Sequence, residues 1–154
     1  MFAKSSNPIL IVLVSLFVLS LHNDAFAQEG PPQPENRSAF RGNVFNMLQQ
    51  QPLPYDQEIS VLKLLQSATS SATLIQVREE VKAHYHAKHD EIVYVIRGKG
   101  VMTVGHETRA INAGDVILMK RGVVHSVKNK TAQPLVALSI MSPPFDGEDR
   151  IFVE

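Results

Sequence analysis

The chain has 154 residues, 44% hydrophobic and 19% charged, which is the composition of a folded globular domain and not of a disordered or fibrous chain. Fifteen Lys and Arg balance fifteen Asp and Glu, so there is no excess positive field to hold a phosphate backbone, and nucleic acid is not an expected partner. The absence of cysteine excludes a disulfide framework, a thiolate zinc site, an iron–sulfur cluster and a cysteine nucleophile; any metal must rest on His and carboxylate.

Residues 1–27 read as a secretory signal peptide. Lys4 precedes an apolar run from Ile9 to Leu19 broken only by Ser15, and Ala25-Phe26-Ala27 sets small residues at the third and first positions before Gln28. The run is shorter than the roughly 20 apolar residues of a bilayer-spanning helix. Cleavage is expected after Ala27, giving a periplasmic or secreted protein with no membrane association once the signal is removed; the other reading of this run is a retained N-terminal anchor. Residues 28–55 read as a leader. Gly30-Pro31-Pro32-Gln33-Pro34 disfavours helix and sheet alike. Phe40, Val44, Met47 and Leu48 then recur at helical spacing and predict one short helix, with Ser38 as N-cap and Pro52-Leu53-Pro54 as its stop. Gly42 and Asn43 are poor residues for the interior of such a helix.

Residues 56–154 change period. Short runs rich in β-branched or apolar residues cover Ile59 to Leu65, Ala72 to Val77, Val81 to His86, Ile92 to Ile96, Gly100 to Val104, Thr108 to Ile111, Val116 to Lys120, His125 to Lys128 and Leu135 to Ile140. Turn signals separate them, among them Arg97-Gly98-Lys99-Gly100, Gly105-His106, Asn112-Ala113-Gly114-Asp115 and Arg121-Gly122. Connections this short leave no room for crossover helices, so the class is all-β, a sandwich or a barrel. His106 reads as a hairpin tip, and Gly98-Lys99-Gly100 lacks the strand-to-helix context of a phosphate loop.

The chemistry concentrates in one segment. His84, His86 and His89 lie within six positions, and Glu91 follows two residues later. Along a strand, residues i and i+2 share a face, so His84 and His86 can aim two imidazoles at one point while Tyr85 faces away. Glu91 follows the polar turn Ala87 to Asp90 and can return a carboxylate to that point; His125, opening a later strand, can supply a third imidazole. Taken alone, a His-x-His pair on a strand is more often a solvated surface pair than a metal site. His89 could stand behind the ligands, shuttle protons or serve as an alternative ligand, but its place in the turn favours an exposed side chain.

These residues resemble the cupins. The first cupin motif runs Gly, five residues, His-x-His, three or four residues, Glu, six residues, Gly; here His84-x-His86, four residues, Glu91, six residues and Gly98 follow it. The second runs Gly, five residues, Pro-x-Gly, two residues, His, three residues, Asn; Gly114, Lys120-Arg121-Gly122, His125 and Asn129 follow it. Arg78 stands where the first motif has its leading Gly, and Lys120 where the second has Pro. Both replaced positions shape the backbone and carry no metal ligand. The resemblance covers about Ile59 to Ile140, and Ser142-Pro143-Pro144-Phe145-Asp146-Gly147 looks like the closing segment of small single-domain bacterial cupins.

The resemblance implies a jelly-roll β-barrel holding a divalent metal on His84, His86, Glu91 and His125. Nitrogen and oxygen ligands suit Mn, Fe, Co, Ni, Cu or Zn without choosing among them. A divalent ion with three neutral imidazoles and one carboxylate has a net charge of about +1, which an anionic substrate would neutralise. An octahedral ion would keep two positions for water, dioxygen or substrate. The expected functions are a metal-dependent oxygenase, oxidase or isomerase on a small oxygenated molecule, or a periplasmic cupin that binds a metal or small ligand without turning it over. A purely structural barrel is the third reading, and the intact ligand set argues against it. The resemblance also implies a homodimer.

Overall fold

The computed structural model describes residues 42–153. The signal segment, its cleavage site, the Pro-rich stretch and the Ser38 cap lie outside the described residues. Val44–Gln50 forms the one described helix, α1. It starts later than the spacing of Phe40 suggests because Asn43 is extended and caps it, its Oδ1 accepting from Phe45 N–H at 2.9 Å and Asn46 N–H at 3.2 Å. Asn43 therefore begins the helix and does not interrupt it.

The β-branched runs form β1 (Ile59–Gln66), β2 (Ser71–Val77), β3 (Glu80–Tyr85), β4 (Asp90–Arg97), β5 (Lys99–Val104), β6 (Glu107–Asn112), β7 (Val116–Met119), β8 (His125–Asn129) and β9 (Leu135–Ser142). A short strand that the sequence pattern does not announce, β10 (Ile151–Phe152), ends the described chain. Two antiparallel five-stranded sheets result, ordered β1-β2-β9-β4-β7 and β10-β3-β8-β5-β6. Val77, Val95, Met102, Ile111, Met119 and Leu135 form the buried core. Each such side chain contributes about 1.5–3 kcal/mol by leaving water.

β2 is buried along most of its length because it is covered twice. Ile75 and Val77 line the interior, while Leu74 packs outward with Val136 and with Leu48 of α1. Gln76 fastens the segment after the helix, accepting from Leu53 N–H at 3.2 Å and donating to the Gln51 carbonyl at 2.8 Å. Gly98 joins β4 to β5 at φ 98°, a conformation that side chains disfavour, and a Cβ there would lie 3.1 Å from Leu135 Cα.

The two departures from the cupin motifs leave the backbone ordinary, since no non-glycine residue has positive φ among the described residues. Arg78 donates to the carbonyls of Gln57 at 3.0 Å and Pro54 at 2.8 Å, and so ties the entry of β1 to the end of β2. The Lys120 carbonyl accepts Val123 N–H at 3.0 Å and closes the turn before β8 without a proline.

Candidate metal centre

Three elements carry the predicted ligands. The β3–β8 register sets His84 opposite His125. His86 comes just after β3, and its carbonyl accepts Gly122 N–H at 2.7 Å, so the turn before β8 holds the first histidine segment. Gly122 sits at φ 78°, which suits glycine at this point. Glu91 enters from the other sheet, on β4 between Met119 and Met141. Next to it, Asp90 accepts from Arg121 N–H at 2.9 Å and from its guanidinium at 3.2 Å, linking the loop that carries Glu91 to the loop that carries His125.

All four side chains are buried. Each histidine has its Nδ1 on a backbone carbonyl: His84 on Lys82 at 2.8 Å, His125 on Val123 at 3.0 Å and His86 on Asp149. A carbonyl only accepts, so each Nδ1 carries a proton, and in the neutral ring the lone pair of Nε2 turns inward. One ligand atom from each of the three histidines lies within 4.8 Å of the others. Glu91 Oε1 accepts the Ser139 hydroxyl at 2.5 Å, and its Oε2 stands 3.2 Å from His125 Nε2 and 3.5 Å from His86 Nε2.

That juxtaposition tests whether a metal fits. The Nε2 atoms of His86 and His125 are buried and have no hydrogen-bond partner among the described residues. Lone pairs of nitrogen facing a carboxylate oxygen repel unless a proton or a cation stands between them, and a divalent ion satisfies all of them at once. Three imidazole nitrogens and one carboxylate oxygen form a donor set suited to first-row transition metals. The carbonyls behind Nδ1 orient each ring.

The electrostatics agree. Burial pushes His84 down to about 4, against the Lys82 carbonyl, so its ring is neutral at pH 7. Burial also opposes the charge of His86, but Glu91 and the Asp149 carbonyl outweigh it and raise His86 above its ordinary 6.5. Glu91 lies well below the carboxylate range, because the His125 and His86 imidazoles beside it and the Ser139 hydroxyl overcome its burial.

His89 corrects the expectation from sequence: it is buried, only 3% exposed. Its Nδ1 lies 2.5 Å from Asp149 Oδ2 and its Nε2 3.2 Å from the Pro144 carbonyl. Both nitrogens face acceptors, the Asp149 carboxylate on one side and the Pro144 carbonyl on the other. Asp149 also accepts Ala87 N–H at 2.9 Å and Lys88 N–H at 2.8 Å, while its carbonyl holds His86. A C-terminal segment therefore covers the turn that was expected to face solvent. His106 is exposed in the turn between β5 and β6, as its hairpin position implied.

A cavity of about 70 Å³ opens beside the ligands. His84, Glu91 and His125 line one side, and Val77, Val81, Val95, Met102, Ile111 and Leu135 line much of the rest. It has room for roughly five waters.

Two antiparallel sheets enclosing three histidines and a glutamate define a double-sheet β-barrel with an interior polar centre. Residues 73–141 match the cupin domain family. An uncharacterized protein of Aquifex aeolicus is 36% identical over 98 residues, 64% of this chain and 80% of that protein. The chain belongs to the cupin superfamily. Among solved structures, TT1209 from Thermus thermophilus superposes with a TM-score of 0.60 at 21% identity, over 70% of this chain and 100% of that one. Streptomyces PAC13, solved with uridine, superposes with a TM-score of 0.56 at 16% identity, over 65% of this chain and 82% of that one.

Proposed function

We propose that the chain is an exported cupin that holds one divalent transition metal on His84, His86, Glu91 and His125 and transforms a small oxygenated molecule there. The observation that carries this reading is the inward set of unprotonated Nε2 atoms against Glu91 Oε2, two of them buried without a hydrogen-bond partner among the described residues. When bound, the ion supplies Lewis acidity and open coordination positions for substrate or dioxygen, the basis of an oxygenase, oxidase or isomerase. The chain's own contribution is to hold the rings in one tautomer, keep Glu91 ionised and exclude water with apolar walls. That PAC13 is described as a nucleoside dehydratase supports small-molecule chemistry within this fold.

The test is turnover by metal-loaded protein. Oxygen uptake or product formation on diketones, catechols, flavonols, organic acids or uronates, abolished in His84→Ala, supports the reading. Ligand recovered unchanged across the panel supports the second reading, a non-catalytic binding cupin. One observation favours that alternative: among the described residues, Ser126 and Arg150 are the only polar side chains lining the cavity apart from the ligands, and neither is an ordinary general base.

A homodimer belongs to the same proposal. On the outer face of the first sheet, Ile92 lies between Leu118 and Ile140, and Tyr94 pairs with Val116. All five are exposed, forming an apolar patch suited to a second copy across a two-fold axis. A monomer by light scattering would contradict it. Export rests on the N-terminal segment; sequencing the protein from the extracytoplasmic fraction is expected to start at Gln28, and a start at Met1 would contradict cleavage.

A further inference from the structure

Beyond the four ligands, one more charged group reaches the mouth of the cavity. β10 runs antiparallel to β3, with Ile151 opposite Tyr85 and Phe152 opposite His84. Arg150 immediately precedes β10. Residues on both sides of Ile151 reach the site: the Phe152 ring lies 5.8 Å from the His84 ring, and Arg150 lines the cavity with His84, Glu91 and His125.

Arg150 is unusual in having nothing to hold. Among the described residues its side chain forms no ion pair, and its Nε is buried without a hydrogen-bond partner. A shielded guanidinium N–H without an acceptor is costly, so a partner brought by a ligand is strongly favoured. Among those residues Arg150 is also the one cationic side chain in the cavity lining apart from the histidines, and the remaining walls are almost wholly apolar. The planar fork of a guanidinium matches a carboxylate with two parallel hydrogen bonds. A carboxylate is compact enough to leave the small cavity for a short apolar chain.

We propose that Arg150 is the specificity residue of this site and selects a small organic carboxylate, whose charged end it binds while the body enters the apolar cavity toward His84 and His125. The proposal rests on the metal-site reading only for what the far end of the ligand meets; recognition of the anion belongs to Arg150. A divalent ion, one carboxylate ligand and Arg150 together leave the site with a net charge of about +2, which further favours an anion.

The experiment measures binding, without turnover. Protein loaded with Co(II) is titrated calorimetrically with acetate, butyrate, lactate and succinate, each against its amide, and with methyl phosphate. At least one carboxylate is expected to bind more tightly than its amide and than methyl phosphate. Arg150→Gln is expected to weaken that carboxylate by about 10- to 100-fold, the range for a lost charge-assisted pair, to weaken the amide much less, and to leave the Co(II) content unchanged. Arg150→Lys, which keeps the charge without the fork, is expected to fall between. Equal binding of carboxylate and amide by the wild-type protein, preference for methyl phosphate, or unchanged carboxylate affinity in Arg150→Gln each overturns the proposal. Circular dichroism verifies that the variants fold, and the wild-type comparison stands without them. If Co(II) fails to bind while the Arg150-dependent preference persists, the metal reading fails and this one survives.

Discussion

Replacing Asp149 with Ala strikes the residue on which the histidine turn depends. Its carboxylate accepts from the buried His89 at 2.5 Å and from two backbone N–H groups at 2.8 and 2.9 Å. Removing it leaves three donors without an acceptor, each worth about 1–3 kcal/mol when shielded from water. The donors share one acceptor and their losses are not additive, so the expected cost is less than their sum, about 2–4 kcal/mol. Chemical denaturation should show this as a lower midpoint with the slope preserved. The pH dependence sharpens the test. Burial works against the charge of Asp149, but His89 and the Lys88 and Ala87 N–H groups hold its carboxyl at about 2 in place of 3.8. A depressed folded value means stability that is complete above 3.8 and lost as pH falls toward 2. The gap between wild type and Asp149→Ala should therefore be widest near neutrality and narrow by about 2 kcal/mol across that window. A loss below about 1 kcal/mol at pH 7, the scale of an ordinary surface substitution, would refute the reasoning.

Metal affinity should rise with pH in proportion to the unprotonated fraction of His86, whose value lies above 6.5, while His84, at about 4, is already free. Calorimetry in buffers of different ionisation enthalpy should find more proton release on metal binding in mildly acidic than in mildly alkaline buffer; a flat profile would contradict the assignment. Ser139→Ala removes the hydroxyl from Glu91 Oε1 and should weaken metal binding by about 10-fold while the fold persists, as measured by competition with a chromophoric chelator. Gly98→Ala forces a Cβ to 3.1 Å from Leu135 Cα at φ 98° and should cost about 1–3 kcal/mol in thermal or chemical unfolding.

The strands and the four ligands were legible because their signals are local. β-branched runs bounded by glycine and asparagine define β1 to β9 within two residues at either end. His84, His86 and Glu91 lie within eight positions of one another, and His125 follows a turn that the sequence marks with Gly122. Asp149 and Arg150 were not legible, since they reach the site from about sixty positions away along the chain. The burial of His89 depends on that long-range contact, which is why a turn histidine looks exposed from sequence. β10 has two residues and no turn signal of its own, so only its pairing with β3 reveals it. The helix start differs for another reason: Phe40 fits the period, but Asn43 caps the helix after it.

The metal centre is tested most directly by the metal content of the chain from Gln28, measured by elemental mass spectrometry beside His84→Ala, Glu91→Gln and His125→Ala. About one equivalent of a first-row transition metal in the wild-type protein, lost or sharply reduced in all three folded variants, is the predicted result. Wild-type protein that takes up no metal after reconstitution with Mn, Fe, Co, Ni, Cu and Zn, or variants that keep a full equivalent, would contradict it.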